Sequence, residues 1–245
     1  MELGAQLYTV REHTKSLDDF ALTLQKVAEI GYKTVQVSGT CGYEPEWLRE
    51  QLKRTGLRCV LTHYDPAAMR ENPVEVVKRH KTFGCRYIGI GMIPGGMDKY
   101  DSFRDEFLPV AKAFAEQDCL FMYHNHACEF IKENILERMA ADFAAEELGF
   151  TLDTYWVQAA GGDPSQWLRK LAGRVPCVHL KDMVYDGEPR MAPVYEGNMN
   201  FDAILEACRD SGTEYLLVEQ DDCYGEDPFA CLERSYRNLK DRGLA

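Results

Sequence analysis

The chain has 245 residues, 45% of them hydrophobic and 28% charged, which is enough apolar material for the core of one large domain. Its formal net charge of −12, with no dense Lys/Arg run, speaks against nucleic acid and anionic membrane surfaces as partners. Nine cysteines without a CxxC pair read as reduced, mostly buried thiols; no apolar stretch approaches the ~18 residues of a membrane span, and the opening MELGAQLYTV lacks the pattern of a secretion signal, so a soluble, cytoplasmic protein is expected.

Eight short apolar or alternating runs recur in chain order, each the length of a buried strand: LGAQLYT (3–9), KTVQVSG (33–39), LRCVLTH (57–63), RYIGIGM (86–92), CLFMYHNH (119–126), GFTLDTY (149–155), PCVHLKD (176–182) and EYLLVEQ (214–220). The segments between them change period. Residues 17–30 align Phe20, Leu24, Val27 and Ile30 on one face, with Asp18 and Asp19 in the first turn and Gly31 as a stop. Residues 103–115 repeat the pattern through Phe107, Val110 and Phe114, and 228–242 through Leu232, Tyr236 and Leu239. Gly31, Gly56, Gly84, Gly149, Gly173 and Gly212 stand just before strands, where a helix C-terminus needs a residue tolerant of positive φ.

Strands alternating with helices imply right-handed crossovers and a parallel sheet. Eight such units predict a single-domain (β/α)₈ barrel over 1–245. The competitor is an open doubly wound sheet, but neither GxGxxG after the first strand nor GxxxxGK[ST] occurs. The longest connection, 183–201, follows the seventh strand on the face where barrels carry functional loops.

Polar residues at strand ends then become informative, because in a barrel these ends form the active-site mouth. Four of the six histidines, His63, His124, His126 and His179, fall there, together with Asp153 and Glu219. Asp153, His179 and Glu219 belong to three consecutive strands and should converge. A mixed carboxylate–imidazole set suits one divalent ion, Mn²⁺ first, with Zn²⁺, Co²⁺, Fe²⁺ or Mg²⁺ as alternatives. His124 is the expected fourth ligand or else a metal-free general base; an acid–imidazole network without metal is the bland alternative. Lys181 shares the direction of His179 and could reach a developing oxyanion, or pair with a carboxylate such as Asp182. Gln6, Tyr8, His63, Tyr155, Trp156 and Gln158 are expected to line a sugar site. Glu129 belongs to the mouth or caps the next helix, and Glu196, Asp221 and Asp222 read as solvated loop carboxylates.

The phrases LDTYW around Asp153, HLKD around His179, YEGNMNF around Glu196 and LLVEQ around Glu219 resemble the xylose-isomerase-like TIM-barrel superfamily, which holds sugar phosphate isomerases and epimerases, dehydratases and repair nucleases. The resemblance runs over essentially the whole chain. It implies one metal held by Glu, Asp, His and Glu from strands five to eight, hence Asp153, His179 and Glu219 here. The family's first glutamate falls on His124, with Asn125 beside it, so a relay of two proton-moving glutamates lacks its first member. The phrase HNHxxEF (124–130) resembles a subgroup of inosose dehydratase-like and keto-sugar-processing enzymes. The nuclease branch carries a further histidine three residues after the strand-six aspartate; Trp156 stands there, and the later Asp-x-His pair is missing from 183–201.

The favoured expectation is a metal-dependent sugar isomerase or epimerase. It would move a proton next to a carbonyl through an enediolate, with Glu219, Lys181 or the His124/His126 pair as base and acid. A lyase or dehydratase acting on a keto-sugar or keto-inositol, and a non-catalytic sugar-binding subunit, are the alternatives. A small carbohydrate is the expected partner, with a homo-oligomer or a partner subunit compatible with either role.

Overall fold

Burial on both faces explains why the strand runs are almost continuously apolar. In the computed structural model, which describes residues 1–131 and 134–244, the strands are β1 (Glu2–Gln6), β2 (Thr34–Val37), β3 (Arg58–His63), β4 (Tyr87–Ile90), β5 (Leu120–His124), β6 (Leu148–Asp153), β7 (Cys177–Leu180), β8 (Asp182–Tyr185), β9 (Pro189–Ala192) and β10 (Tyr215–Val218). Every residue of β2, β4, β6 and β7 is buried. Eight strands pair in parallel and close in the order β1-β10-β7-β6-β5-β4-β3-β2, a (β/α)₈ barrel in one domain. β8 and β9 form a separate antiparallel hairpin inside the long connection after β7.

The surrounding helices are α1 (Leu17–Ile30), α2 (Pro45–Thr55), α3 (Pro66–Glu71), α4 (Pro73–Thr82), α5 (Tyr100–Ala115), α6 (Ile135–Asp142), α7 (Thr154–Ala159), α8 (Pro164–Lys170), α9 (Phe201–Asp210) and α10 (Pro228–Lys240). Their starts are written in side chains. Ser16, Asp65, Asn72, Asn134, Asp163, Asn200 and Asp227 each accept a backbone N–H of the first turn. α1 buries Phe20, Leu24 and Val27 as its period demands, and α5 buries Phe107, Val110 and Phe114. Among the described residues no helix is long and apolar enough to cross a membrane.

Three boundaries depart from the sequence pattern. The first strand stops at Gln6, and Leu7–His13 turns into a 3₁₀ segment. The sixth stops at Asp153, whose carboxylate accepts the N–H of Trp156 and so starts α7 where a strand was expected to continue to residue 155. Gly149 is no helix stop: it lies inside β6, where a Cβ would stand 2.7 Å from Leu120 Cδ2 and 2.8 Å from Met122 Sδ, so its smallness serves barrel packing. The other five glycines do take positive φ.

One histidine away from the mouth shows what burial does to this residue type. His80 on α4 is fully buried, its Nδ1–H donating to Val76 O (2.7 Å) while Nε2 meets the Thr62 hydroxyl (2.9 Å). Burial pushes its pKa down to about 4, against the pull of the Val76 carbonyl. The unfolded chain takes up this proton near pH 6.5 and the folded chain only near 4, so folding stability falls as pH drops through that window. The loss approaches ~3 kcal/mol. Urea denaturation at pH 7 and pH 4.5 should show wild type losing more stability than His80→Gln; equal losses would remove His80 from the account.

Candidate active site

Strand register brings the polar ends together. Asp153 is level with His179 in the β6–β7 ladder, and Val218 is level with Leu180 in the β10–β7 ladder, so Glu219 emerges beside Lys181. His124 ends β5, one strand further round. One donor atom from each of His124, Asp153, His179 and Glu219 lies within 4.8 Å of the other three. His179 Nδ1 is 2.8 Å from Glu219 Oε2 and 3.6 Å from Asp153 Oδ2, and His124 Nε2 is 3.1 Å from the same Asp153 oxygen. All four side chains are buried.

Two hydrogen bonds prepare this set. Asp153 spends Oδ1 on the Trp156 N–H (3.0 Å), which leaves Oδ2 facing its neighbours. His179 Nε2 lies 2.6 Å from Gln36 Oε1, and since an amide oxygen only accepts, Nε2 carries a hydrogen and Nδ1 is the nitrogen that faces the carboxylates, holding a proton toward Glu219 until a cation takes its place. Gln36 was not singled out from the sequence, although a glutamine among the valines of β2 is visible there. His124 Nδ1 is buried with no hydrogen-bond partner among the described residues, whereas His179 Nδ1 and Glu219 Oε2 face each other at 2.8 Å.

Charge points the same way. Lys181 is buried with Nζ 3.1 Å from Asp153 Oδ2, 2.9 Å from Glu219 Oε2 and 2.8 Å from Asp221 Oδ2. Burial opposes its charge, but these three carboxylates outweigh it and raise its pKa. Asp153 and Glu219 are held well below the usual carboxylate range, with Lys181 the leading partner that overcomes their burial. Burial and the neighbouring Glu219 push Asp221 up to about 6 against the pull of Lys181. Three carboxylates facing one ammonium leave a deficit of two positive charges. In the metal-free protein His179 meets part of it: burial resists, yet Glu219 and Asp153 lift the imidazole to about 8. Burial and His179 press His124 down to about 3, so it stays a neutral donor.

A divalent cation matches that deficit. Donor atoms around one ion with ~2.1 Å bonds stand at most ~4.2 Å apart, so the set needs only to close in by a fraction of an ångström per atom. The mixed oxygen–nitrogen donors suit a transition metal, and binding would displace the proton that His179 otherwise holds.

The mouth is a cavity of about 560 Å³ lined by Tyr8, His63, His124, His126, Trp156, Lys181, Glu219 and Asp221 among others. His126 and Trp156 face each other at 5.5 Å, and Lys181 Nζ stands 5.9 Å from the Trp156 ring. Arg11, unmentioned in the sequence reading, also lines the cavity and lies 4.3 Å over the Tyr8 ring.

Several expected residues lie elsewhere or serve differently. Gln158 is exposed on α7 and lines another depression with Asn200, because the helix starting at Thr154 carries it away from the mouth. Tyr155 packs with Met183 and Met191 and docks the β8–β9 hairpin. Gln6 is buried, Oε1 accepting the Tyr8 N–H. Asp182 does not pair with Lys181; it accepts the N–H groups of Met183, Tyr195, Gly197 and Met199 and so ties down the connection after the hairpin. Glu129 caps no helix: its oxygens accept Tyr123 O–H (2.6 Å) and His126 N–H (2.9 Å), fixing the turn that carries His126. Asp221, read as a solvated carboxylate, is instead the bidentate partner of Lys181 (2.8 and 3.0 Å). Glu196 pairs with Arg234 at the surface, and Asp222 is exposed.

Residues 24–234 match the family model of xylose isomerase-like TIM barrels. No curated protein matches the chain significantly in sequence. Among solved structures, a sugar phosphate isomerase/epimerase from Parabacteroides distasonis superposes with a TM-score of 0.84 at 20% identity, covering 98% of this chain and 93% of the other. An L-ribulose 3-epimerase superposes at 0.76 and 15% (99% and 94% covered), and a probable 3-DHS dehydratase from Bacillus anthracis at 0.75 and 16% (99% and 100%). At these identities the likeness establishes the fold.

Removing the ammonium exposes the charge imbalance directly. Lys181→Met should cost the metal-free protein about 3–5 kcal/mol, the usual penalty for an orphaned buried partner. Added Mn²⁺ should raise the melting temperature of the variant more than that of wild type. Thermal unfolding with chelator and with Mn²⁺ checks both; an unchanged melting temperature in chelator would disprove the assignment.

Proposed function

The chain belongs to the xylose isomerase-like TIM-barrel family, and on that premise we propose that it is a divalent-metal-dependent sugar isomerase or epimerase. The observation that carries this reading is the convergence of four buried donor atoms within 4.8 Å, two positive charges short of neutrality. Asp153, His179 and Glu219 would hold the ion, with His124 as fourth ligand and Mn²⁺ the best match to the donors. A cation bound there supplies Lewis acidity toward a sugar carbonyl or hydroxyl.

The remaining work falls to this chain's side chains. The reaction begins with removal of a proton from the carbon beside the carbonyl, which leaves an enediolate. Glu219 lies at the cavity wall as an ionised carboxylate and is the assigned base. Lys181 Nζ, buried between carboxylates yet lining the cavity, donates to the developing oxyanion. His126 also lines the cavity and is assigned to return the proton at a neighbouring carbon or oxygen. Trp156 and Tyr8 offer aromatic surface to a sugar ring, and His63, tied to Ser38 Oγ at 3.3 Å, is a hydrogen-bond partner for a hydroxyl.

A second reading, a lyase or dehydratase on a keto-sugar or keto-inositol, draws support from His124, which replaces a family glutamate by a neutral imidazole. Elimination shares the first proton removal and differs in what leaves afterwards.

Metal analysis of the purified protein, followed by NMR of candidate ketoses and keto-inositols in D₂O, tests the reading. Solvent deuterium should enter the carbon beside the carbonyl only with the divalent ion present; isomerisation keeps the molecular formula, whereas elimination yields an unsaturated product. Glu219→Gln should lower the exchange rate by roughly 10²–10⁴-fold, the worth of a positioned base, with an unchanged circular dichroism spectrum. Exchange that survives both chelation and Glu219→Gln would overturn this mechanism, and no exchange even with the ion bound would leave a sugar-binding role in its place.

A further inference from the structure

A second hollow of about 580 Å³ adjoins the mouth cavity, and the two share Ser38, His63 and Tyr64 as a common ridge. It lies between the segments that follow β2 and β3, with Thr40, Cys41, Gly42, Tyr43 and Glu44 along one side. Either hollow alone falls within the roughly 300–1,000 Å³ that small-ligand pockets occupy. Together they offer more room than one six-carbon sugar fills.

The chemistry of the second hollow narrows its occupant. Its charged groups are Glu44, Asp65 and Arg79. The Arg79 guanidinium is already engaged, donating to the Tyr43 carbonyl and standing 3.7 Å from Glu44 Oε2. Two carboxylates against one committed guanidinium give a phosphate or carboxylate group nothing to pair with. Hydroxyl groups, by contrast, can donate to the carboxylates, and Tyr43 and Tyr64 line the same space with aromatic surface.

We propose that the hollow beyond the Ser38–His63–Tyr64 ridge is a second sugar subsite, so that the substrate is a glycosylated keto-sugar with one ring at the Asp153–His179–Glu219 centre and a neutral ring beyond the ridge. The assignment of which ring reacts rests on the proposed isomerase or lyase reading; the existence of the subsite does not.

Gly42 supplies the test. It lines the hollow, its backbone is outside the positive-φ region, and a Cβ built there meets nothing within 4 Å. Gly42→Trp therefore plugs the subsite, Gly42→Ala controls for loss of glycine, and Thr40→Phe is a second plug should the first fail to fold. Titration calorimetry on the Mg²⁺-loaded protein compares D-fructose with lactulose, turanose and isomaltulose, in which fructose carries a second hexose at three different positions. At least one disaccharide should bind about tenfold more tightly than fructose. Either plug should erase that advantage without changing fructose affinity, and Gly42→Ala should preserve it. Disaccharides that bind no better than fructose, or an advantage that persists in both plugged variants, would overturn the subsite. Absence of deuterium exchange on these sugars, with the binding advantage intact, would strike the catalytic reading alone.

Discussion

Like charges forced together at the end of a barrel govern this structure. Parallel strands in register aim successive C-termini at one axis, and here they bring Asp153 and Glu219, joined by Asp221, around one ammonium at the barrel mouth. Such a cluster is tolerable only if compensated, since an unpaired buried carboxylate costs several kcal/mol. Lys181 provides the resident compensation, reaching all three carboxylates at 2.8–3.1 Å. It is insufficient by two charges, and the shortfall makes the mouth a cation receptor rather than a closed ion-pair network. Gln36 completes the preparation by engaging His179 Nε2, which leaves Nδ1 turned toward the carboxylates.

The long connection after β7 secures the same arrangement from the side. Asp182, next in sequence to Lys181, gathers four backbone N–H groups, and a side chain at Gly197 would collide with its carboxylate, a Cβ standing 2.4 Å from Oδ1. The β8–β9 hairpin packs Met183 and Met191 against Tyr155. Met191 is linked in turn to the segment after β10: its N–H donates to the Tyr224 hydroxyl (3.0 Å) and its sulfur accepts the Asp221 N–H (3.2 Å). The partner of Lys181 is thus held by the hairpin that begins one residue beyond Lys181 itself.

Strand ends and their imidazoles were legible in the sequence because two signals reinforced each other: an apolar run of strand length and a polar residue at its close. Asp153, His179, Glu219 and His124 carry both. Asp221 carries neither, as a carboxylate on a loop looks the same whether it is solvated or turned inward toward a lysine forty residues away. Tyr155 and Gln158 were misplaced for a local reason. The run GFTLDTY reads as strand through Tyr155, whereas the capping bond from Asp153 to the Trp156 N–H starts a helix at Thr154 that redirects Tyr155 and carries Gln158 away from the mouth. Gly149 illustrates the complementary ambiguity, since a glycine before a strand and a glycine packed within one read identically without their neighbours.

The histidine at position 124 gains a physical meaning from this charge account. A carboxylate in its place would sit against Asp153 Oδ2, where His124 Nε2 now lies 3.1 Å away, and would raise the deficit from two charges to three. One divalent ion together with Lys181 could then no longer balance the cluster. An imidazole that burial and His179 keep neutral contributes a ligand atom and no charge. His124, Lys181 and Asp221 are therefore best understood as a matched set: the loop carboxylate balances the lysine, the lysine stays at the mouth to meet developing negative charge, and the neutral fourth donor leaves room for a single doubly charged ion.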